Sequence, residues 1–180
     1  MSDGTKIPLL VAEERARIIS DWTRRACQRI EIAGSIRRRK LLVGDIEIVC
    51  IPIQRTDFFG EPFLDVDAVM YRMADFTSAE LLVGGNKYRK YNIDGVQLDL
   101  FITTPEQWGV IFMIRTGSAN FSKLMVTARQ EGGYCPSHMH FKDGWLWSGE
   151  NKLDTPEERD VFKLLGVEWV EPRNRSFYDK

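Results

Sequence analysis

The stretch EIAGSIRRRKLLVGDIEIVC, residues 31–50, decides how the sequence is interpreted. Two runs rich in β-branched residues overlap it, and they end at Gly34 and, just beyond the stretch, at Pro52, which is typical of strands. Side chains alternate between the two faces of a strand, so Asp45 and Glu47 project together, opposite the neighbouring isoleucines. The second strand is therefore predicted to carry two carboxylates on one face.

A third acidic residue follows the same pattern further along the chain. Asp94-Gly95 is a tight-turn dipeptide between two strand patterns, which predicts a β-hairpin with Asp99 in its second strand. If that strand pairs with the strand of Asp45 and Glu47, three anions meet, and such a cluster is costly unless a cation neutralises it. All-oxygen ligands favour Mg²⁺ or Mn²⁺ over zinc. The alternation alone leaves open a solvated edge-strand face without metal.

Groups that can bind phosphate precede the carboxylate pair. A backbone with glycine at position 34 can approach an anion, Ser35 adds a hydroxyl donor, and Arg37–Lys40 supplies positive charge. The alternative for the basic run is a solvated turn. Phosphate donors followed by metal ligands favour a nucleoside triphosphate as the bound molecule.

Composition limits the possible partners and locations. The 180 residues carry a formal net charge of −1, which argues against strong sequence-independent attraction to nucleic acid, so any basic surface must be local. No apolar run approaches the roughly 18 residues that a membrane-spanning helix needs, and the N-terminus lacks the order of a secretion signal. We therefore expect a cytoplasmic protein that does not bind membranes.

Several local signals predict helices and packing. Helical periodicity predicts an amphipathic helix over residues 10–29. Thr155, followed by Pro156 and Glu158, predicts a capping box at the start of the last helix, and Gly166 predicts its end. The aromatic residues predicted to pack the core of a small C-terminal hairpin are Trp145 and Trp147.

The motifs GSIRRRKLLVGDIE, VQLDLF and RTGS together resemble the signature of the X-family DNA polymerases, relatives of DNA polymerase beta within the nucleotidyltransferase superfamily. The resemblance implies an α+β fold, with a nucleotidyltransferase palm of mixed sheet and helices over residues 1–104. A small α/β, thumb-like subdomain that selects the nucleotide is implied over residues 105–180. The family's lyase domain and helix-hairpin-helix module have no counterpart in the sequence, so we expect a minimal form.

The activity that this resemblance implies is DNA-directed DNA polymerisation at a primer 3′-hydroxyl, in gap filling or short-patch DNA repair. The implied partners are primer-template or gapped DNA and a nucleoside triphosphate, and we expect a monomer. The implied cofactors are two Mg²⁺ or Mn²⁺ ions about 3.5–4 Å apart, which would clamp the attacking hydroxyl and the leaving pyrophosphate.

The resemblance also implies the roles of individual residues. Asp45, Glu47 and Asp99 fall on the family's catalytic, metal-binding carboxylates. Asp99 is expected to contact only the metal nearer the primer and is the implied acceptor of the hydroxyl proton. The implied contacts with the nucleotide and its triphosphate are Lys6, Gly34, Ser35, Arg38, Gly44, Thr116 and Gly117.

Four departures from the family pattern bear on function. Glu47 stands where the polymerases carry aspartate, and Gln97 replaces an arginine beside the third carboxylate. Ile114-Arg115 replaces an aromatic pair that crowds the sugar's 2′ position, so we expect weak discrimination between deoxy- and ribonucleotides. Ser122 replaces an asparagine that contacts the incoming base.

These departures keep two other functions open. The first is a transferase that adds a nucleotide to RNA, a protein or a small molecule, which the net charge, Glu47 and Ile114-Arg115 favour. The second is a non-enzymatic nucleotide-binding or scaffold protein, against which the retention of all three carboxylates argues.

Overall fold

A computed structural model describes residues 6–179 of the chain. The chain divides into two compact units. The first comprises the described residues up to Ile36 together with Lys40–Thr103, and the second comprises Arg37–Arg39 and the residues from Thr104 onward. Helices and a mixed sheet are both present, as the predicted α+β class requires. No helix among the residues that the structure describes is long and apolar enough to cross a membrane.

The elements between Ile7 and Ile102 alternate short helices with strands. In chain order they are β1 (Ile7–Pro8), α1 (Leu9–Thr23), β2 (Cys27–Ile32), α2 (Gly34–Arg37), β3 (Leu42–Val43), β4 (Ile46–Pro52), β5 (Gln54–Thr56), β6 (Pro62–Leu64), α3 (Asp65–Met73), β7 (Glu80–Gly85), β8 (Tyr88–Ile93) and β9 (Val96–Ile102).

A mixed five-stranded sheet forms the centre of the first unit, with the strand order β2-β4-β9-β8-β7. The central strands β4 and β9 are parallel, and the other neighbours are antiparallel. One face of this sheet packs on α1 and α3, because apolar side chains alternate along every central strand. Burying each large aliphatic side chain stabilises the unit by about 1.5–3 kcal/mol. The polar residues of the central strands lie on the other face.

The predicted hairpin at Asp94-Gly95 is confirmed. Asp94 and Gly95 have φ angles of 49° and 78°, the left-handed values that a two-residue turn between antiparallel strands requires. This turn pairs Ile93 with Val96 and thereby sets the register of β8 against β9.

The predicted extent of the first helix is wrong at its C-terminal end. The α-helix ends at Thr23, a single 3₁₀ turn covers Arg24–Ala26, and Cys27 begins β2. β2 pairs with β4, for example through Ile30 and Cys50, so sheet pairing outweighs the helical tendency of this segment.

The second unit combines three helices with a small antiparallel sheet. Its elements are α4 (Trp108–Thr116), α5 (Ala119–Val126), β10 (Met139–Lys142), β11 (Trp145–Ser148), β12 (Asn151–Leu153) and α6 (Glu158–Leu165). A 3₁₀ segment, Pro172–Asp179, follows α6. Phe121, Leu146 and Phe162 are among the residues of its own apolar core.

The prediction that two tryptophans pack the core of the small hairpin is wrong. Leu146 is fully buried, and strand alternation therefore turns Trp145 and Trp147 to the opposite face. On that face the Lys152 ammonium lies 4.9 Å from the Trp145 ring centroid and 5.3 Å from that of Trp147. His140 stacks beside Trp147.

The last helix begins two residues later than Thr155 predicts. Glu157 is its N-cap and forms a capping box with Asp160, because the backbone of Thr155 is used elsewhere: its carbonyl accepts a hydrogen bond from the Gly109 N–H. Gly166 ends the helix in the left-handed conformation, as predicted.

Candidate active site

The three predicted carboxylates start from the two central strands of the first unit. The two strands are parallel neighbours, and their register places Glu47 directly beside Asp99, so the pairing on which the third carboxylate's position depended is present. Asp45 immediately precedes β4 and, by strand alternation, is on the same side as Glu47. Asp99 is 9% exposed, and the other two carboxylates are half-buried. A row of acidic side chains thus lies on the sheet face opposite the helices.

Gly34 allows the Glu47 side chain to lie against the backbone at the start of α2. Its φ angle is 61°, in the region that favours glycine. A Cβ atom at this position would overlap the Glu47 carboxylate. The chain is also held here by a 2.8 Å hydrogen bond from the Ala33 N–H to the Glu47 carbonyl. Glycine is therefore needed at position 34 for two independent reasons.

Two neutral donors hold the Asp99 carboxylate. The Tyr88 hydroxyl donates to Oδ1 over 2.8 Å, and Gln97 Nε2 donates to both Oδ1 and Oδ2 over 3.0 Å. The sequence reasoning singled out Gln97 and missed Tyr88. The sequence did contain a signal for the Tyr88 contact. A two-residue turn at Asp94-Gly95 pairs Lys90 with Asp99, and this register makes Tyr88 a diagonal neighbour of Asp99.

The donor set fits a divalent cation in its chemistry. Asp45, Glu47 and Asp99 offer only oxygen ligands, on adjoining positions of one sheet face. Within residues 6–179, no three acidic, cysteine or histidine side chains are gathered closely enough to make a complete metal cage. A partial set suits Mg²⁺, which is typically bound by one or two carboxylates together with water and substrate phosphates.

The structure describes each of the predicted phosphate-binding residues of the first unit. Across the part of the chain that the structure describes, the buried Ser35 Oγ has no hydrogen-bond partner. Gly44 is exposed, and a Cβ there would meet no described atom within 4 Å. Lys6 is exposed and precedes β1, and the pairing of Ile7 with Val43, continued by one residue, puts Lys6 opposite Gly44.

The predicted nucleotide contacts of the second unit are bonded to one another. Arg38 Nη1 donates to the carbonyls of Thr116 and Gly117 over 2.8 and 2.9 Å. A Cβ at Gly117 would overlap Ser122 Oγ, which donates to the Ile114 carbonyl over 2.8 Å. The Ser122 hydroxyl is thus engaged within its own helices, and glycine at position 117 permits that close approach.

A buried ionic cluster in the second unit was missed by the sequence reasoning. Arg37 donates to Thr116 Oγ1 over 2.6 Å and to one Glu158 oxygen over 2.7 Å, and its guanidinium lies 3.9 Å from the Phe112 ring centroid. Arg175, fully buried, donates to the other Glu158 oxygen. Burial lowers the pKa of Arg175, and the Glu158 carboxylate opposes that shift. One carboxylate therefore balances two guanidinium groups.

Comparison with known proteins relates both sequence and fold to one family. A sequence model of the DNA polymerase beta thumb matches residues 112–176. The chain is 26% identical over 164 residues to DNA polymerase lambda of Rattus norvegicus, a match that covers 80% of this chain and 28% of the relative. The chain thus spans less than a third of that relative's length.

Two crystal structures of Leishmania infantum polymerase beta share the fold. The ternary P/T complex superimposes with a TM-score of 0.70 at 18% identity and covers 95% of this chain and 77% of that chain. The ternary gap complex gives a TM-score of 0.71 at 16% identity, over 95% of this chain and 71% of that chain. The chain therefore resembles the polymerase beta thumb over residues 112–176, DNA polymerase lambda in sequence and polymerase beta in fold, all of which are similarities to the X family of DNA polymerases.

Proposed function

We propose that the chain is a DNA-directed DNA polymerase that adds nucleotides to a primer 3′-hydroxyl and releases pyrophosphate. The observation that carries this proposal is the register of β4 and β9, which sets Glu47 beside Asp99 with Asp45 at the start of the same row. We assign residues 1–104 as the nucleotidyltransferase palm and residues 105–180 as the thumb-like subdomain that selects the nucleotide.

Each residue of the proposed site has a role in the transfer. Asp45 and Glu47 would hold the divalent cations, with Asp99 as the third metal-binding carboxylate. When bound, these two Mg²⁺ or Mn²⁺ ions supply Lewis acidity and charge neutralisation. Asp99 accepts the proton of the primer 3′-hydroxyl. The oxygen of that hydroxyl forms the new bond to the α-phosphorus, and the bond between the α-phosphorus and the pyrophosphate oxygen breaks.

The proposed contacts with the triphosphate are assigned in each unit separately. Gly34, Ser35, Gly44 and Lys6 are the proposed contacts in the first unit, and the unsatisfied Ser35 hydroxyl supports this role. The proposed contacts in the second unit are Arg38, Thr116 and Gly117.

We propose primer-template or gapped DNA as the partner of a monomeric enzyme, acting in gap filling or short-patch repair. The similar Leishmania infantum structures, described as P/T and gap complexes, support this choice. Because the net charge is only −1, binding must depend on a local basic surface and should weaken steeply with added salt.

A primer-extension assay tests the choice of acceptor. The protein is incubated with Mg²⁺ or Mn²⁺, labelled nucleoside triphosphates and DNA with a one-nucleotide gap, in four versions that differ only in the templating base. We expect incorporation that follows the template. RNA, protein and small-molecule acceptors are offered in parallel, and label on one of these without template-directed extension of DNA would contradict the polymerase proposal.

Sugar selection is expected to be weak. Ile114 and Arg115 stand where the family carries an aromatic pair, and a pocket without that bulk rejects an added hydroxyl by roughly 100-fold at most. We therefore expect kcat/KM values for a deoxy- and a ribonucleotide to differ by less than about 100-fold in single-nucleotide gap filling.

The double variant Ile114→Tyr with Arg115→Phe provides the matched comparison for sugar selection. It should lower kcat/KM for the ribonucleotide more than for the deoxynucleotide. High selectivity in the unmodified protein, unchanged in the double variant, would show that other residues exclude the ribose hydroxyl.

A nucleotidyltransferase that acts on another acceptor is the second candidate function. The observation that favours it is the Ser122 hydroxyl, which is bound to the Ile114 carbonyl at the position where the family uses an asparagine against the base. An enzyme that does not read a template has no need of that contact.

A further inference from the structure

We infer that Tyr88 is a positioning residue for nucleotidyl transfer, whose hydroxyl fixes the Asp99 carboxylate in the orientation that binds metal and accepts the primer proton. The inference rests on the proposed function of Asp99. Tyr88 lies outside the motifs that indicated the site in the sequence.

The hydrogen bonds leave the two Asp99 oxygens unequal. Oδ1 accepts from both Tyr88 and Gln97, whereas Oδ2 accepts only from Gln97 among the described residues. A carboxylate offers about four lone-pair sites, two on each oxygen. Oδ2 therefore keeps acceptor capacity for a metal ion or a hydroxyl proton, and Tyr88 is the group that distinguishes one oxygen from the other.

Cross-strand packing holds the Tyr88 ring in place. Tyr88 is the antiparallel partner of Phe101, and the two rings stack with centroids 5.2 Å apart and planes inclined by 24°. Asp99 lies two residues before Phe101, so it is a diagonal neighbour of Tyr88 at roughly 7–8 Å between Cα atoms, which a tyrosine side chain can span. Phe101 is 7% exposed, so the stack is anchored in packed structure.

Both donors to Asp99 are uncharged, which suits a carboxylate that binds a cation. A guanidinium at position 97 would neutralise part of the charge on Asp99, whereas an amide and a phenol orient it without competing with a metal for that charge. Lys90 is the cross-strand partner of Asp99 and is half-buried, yet within residues 6–179 no ion pair joins the two.

The variant Tyr88→Phe removes the hydroxyl and keeps the stacked ring. Loss of a partner that orients a metal ligand typically lowers metal affinity or activity by about 10–100-fold. We expect kcat to fall by about this factor, with the KM for the nucleotide changed by less than about threefold and the melting temperature unchanged. Mn²⁺ affinity, titrated with the metal alone and followed by the electron paramagnetic resonance of the free ion, should also fall.

Two further variants separate positioning from packing. Tyr71→Phe removes a hydroxyl from a tyrosine that is 80% exposed, and it should match the unmodified protein in every measurement. Phe101→Leu removes the stacked ring and keeps the Tyr88 hydroxyl. It should lower Mn²⁺ affinity and kcat by less than Tyr88→Phe does.

Each negative result has a distinct meaning. If Tyr88→Phe leaves kcat and Mn²⁺ affinity unchanged while Asp99→Asn abolishes transfer, the inference fails and the proposed function stands. A fall in kcat that accompanies a lower melting temperature, with Mn²⁺ affinity intact, would also overturn the inference, because it indicates a structural role. Full activity of Asp99→Asn would remove the proposed role of Asp99 and with it the inference, whereas a lack of nucleotide transfer by the unmodified protein would remove the proposed function itself.

Discussion

Replacing Asp99 with asparagine is expected to lower kcat for nucleotide addition by roughly 10³-fold or more. The proposed role combines a metal ligand with the acceptor of the primer proton, and loss of a general base alone costs about 10²–10⁴-fold. Asparagine has nearly the volume of aspartate and can still accept the Tyr88 hydrogen bond, so the fold should be preserved. Single-turnover gap filling measures the effect without interference from product release.

The matched control for Asp99→Asn is Asp75→Asn. Asp75 is an exposed residue just after α3 in the same unit, and its substitution should leave the rate unchanged. The nucleotide KM of Asp99→Asn should stay within a few-fold, since the proposed triphosphate contacts come from other residues. A rate within tenfold of the unmodified protein would place the transfer chemistry elsewhere.

Glu158→Gln is expected to lower the free energy of unfolding of the second unit by about 3–5 kcal/mol. Glu158 is 4% exposed and balances Arg37 and the fully buried Arg175, so a neutral amide leaves two guanidinium groups without a counter-charge. Removing one partner of a buried ion pair typically costs this much, because the remaining charge stays desolvated. Urea unfolding followed by tryptophan fluorescence gives the measurement.

Two comparisons show whether the effect of Glu158→Gln comes from burial. Glu168→Gln changes an exposed glutamate just after the same helix and should alter the free energy of unfolding by less than about 0.5 kcal/mol. Raising the salt concentration should leave the decrease in the free energy of unfolding caused by Glu158→Gln nearly unchanged, because salt screens buried charges only weakly. A loss below 1 kcal/mol would mean that water reaches the cluster and compensates the two arginines.

Much of the fold could be predicted where the signal is local. The turn at Asp94-Gly95 requires a left-handed backbone at both residues, and Asp-Gly is one of the few dipeptides that favour this conformation. Gly166 ends the last helix for the same reason. The first helix was predicted too long because residues 24–29 retain helical periodicity, while their conformation is decided by pairing with β4.

In the candidate site, too, local features could be predicted from the sequence and long-range contacts could not. Strand alternation placed Asp45 and Glu47 on one face from their spacing alone. That Glu47 lies beside Asp99 depends on the parallel register of strands about 50 residues apart, which no feature of either strand specifies by itself. The Tyr88 contact depends on the hairpin register and on the stack with Phe101.

The sequence by itself determined which chemistry is available: three carboxylates, a glycine-serine pair, a basic run and the turn that orders the hairpin. These features depend only on residue type and on short spacings along the chain, and so they do not depend on the tertiary structure. Only the tertiary structure decided how those groups are used. In the sequence the basic run at Arg37–Lys40 could also be a solvated turn, yet Arg37 bonds to Glu158, 121 residues away, and Arg38 bonds to the carbonyls of Thr116 and Gly117. A buried charge requires a partner, and long-range packing alone selects which partner is near.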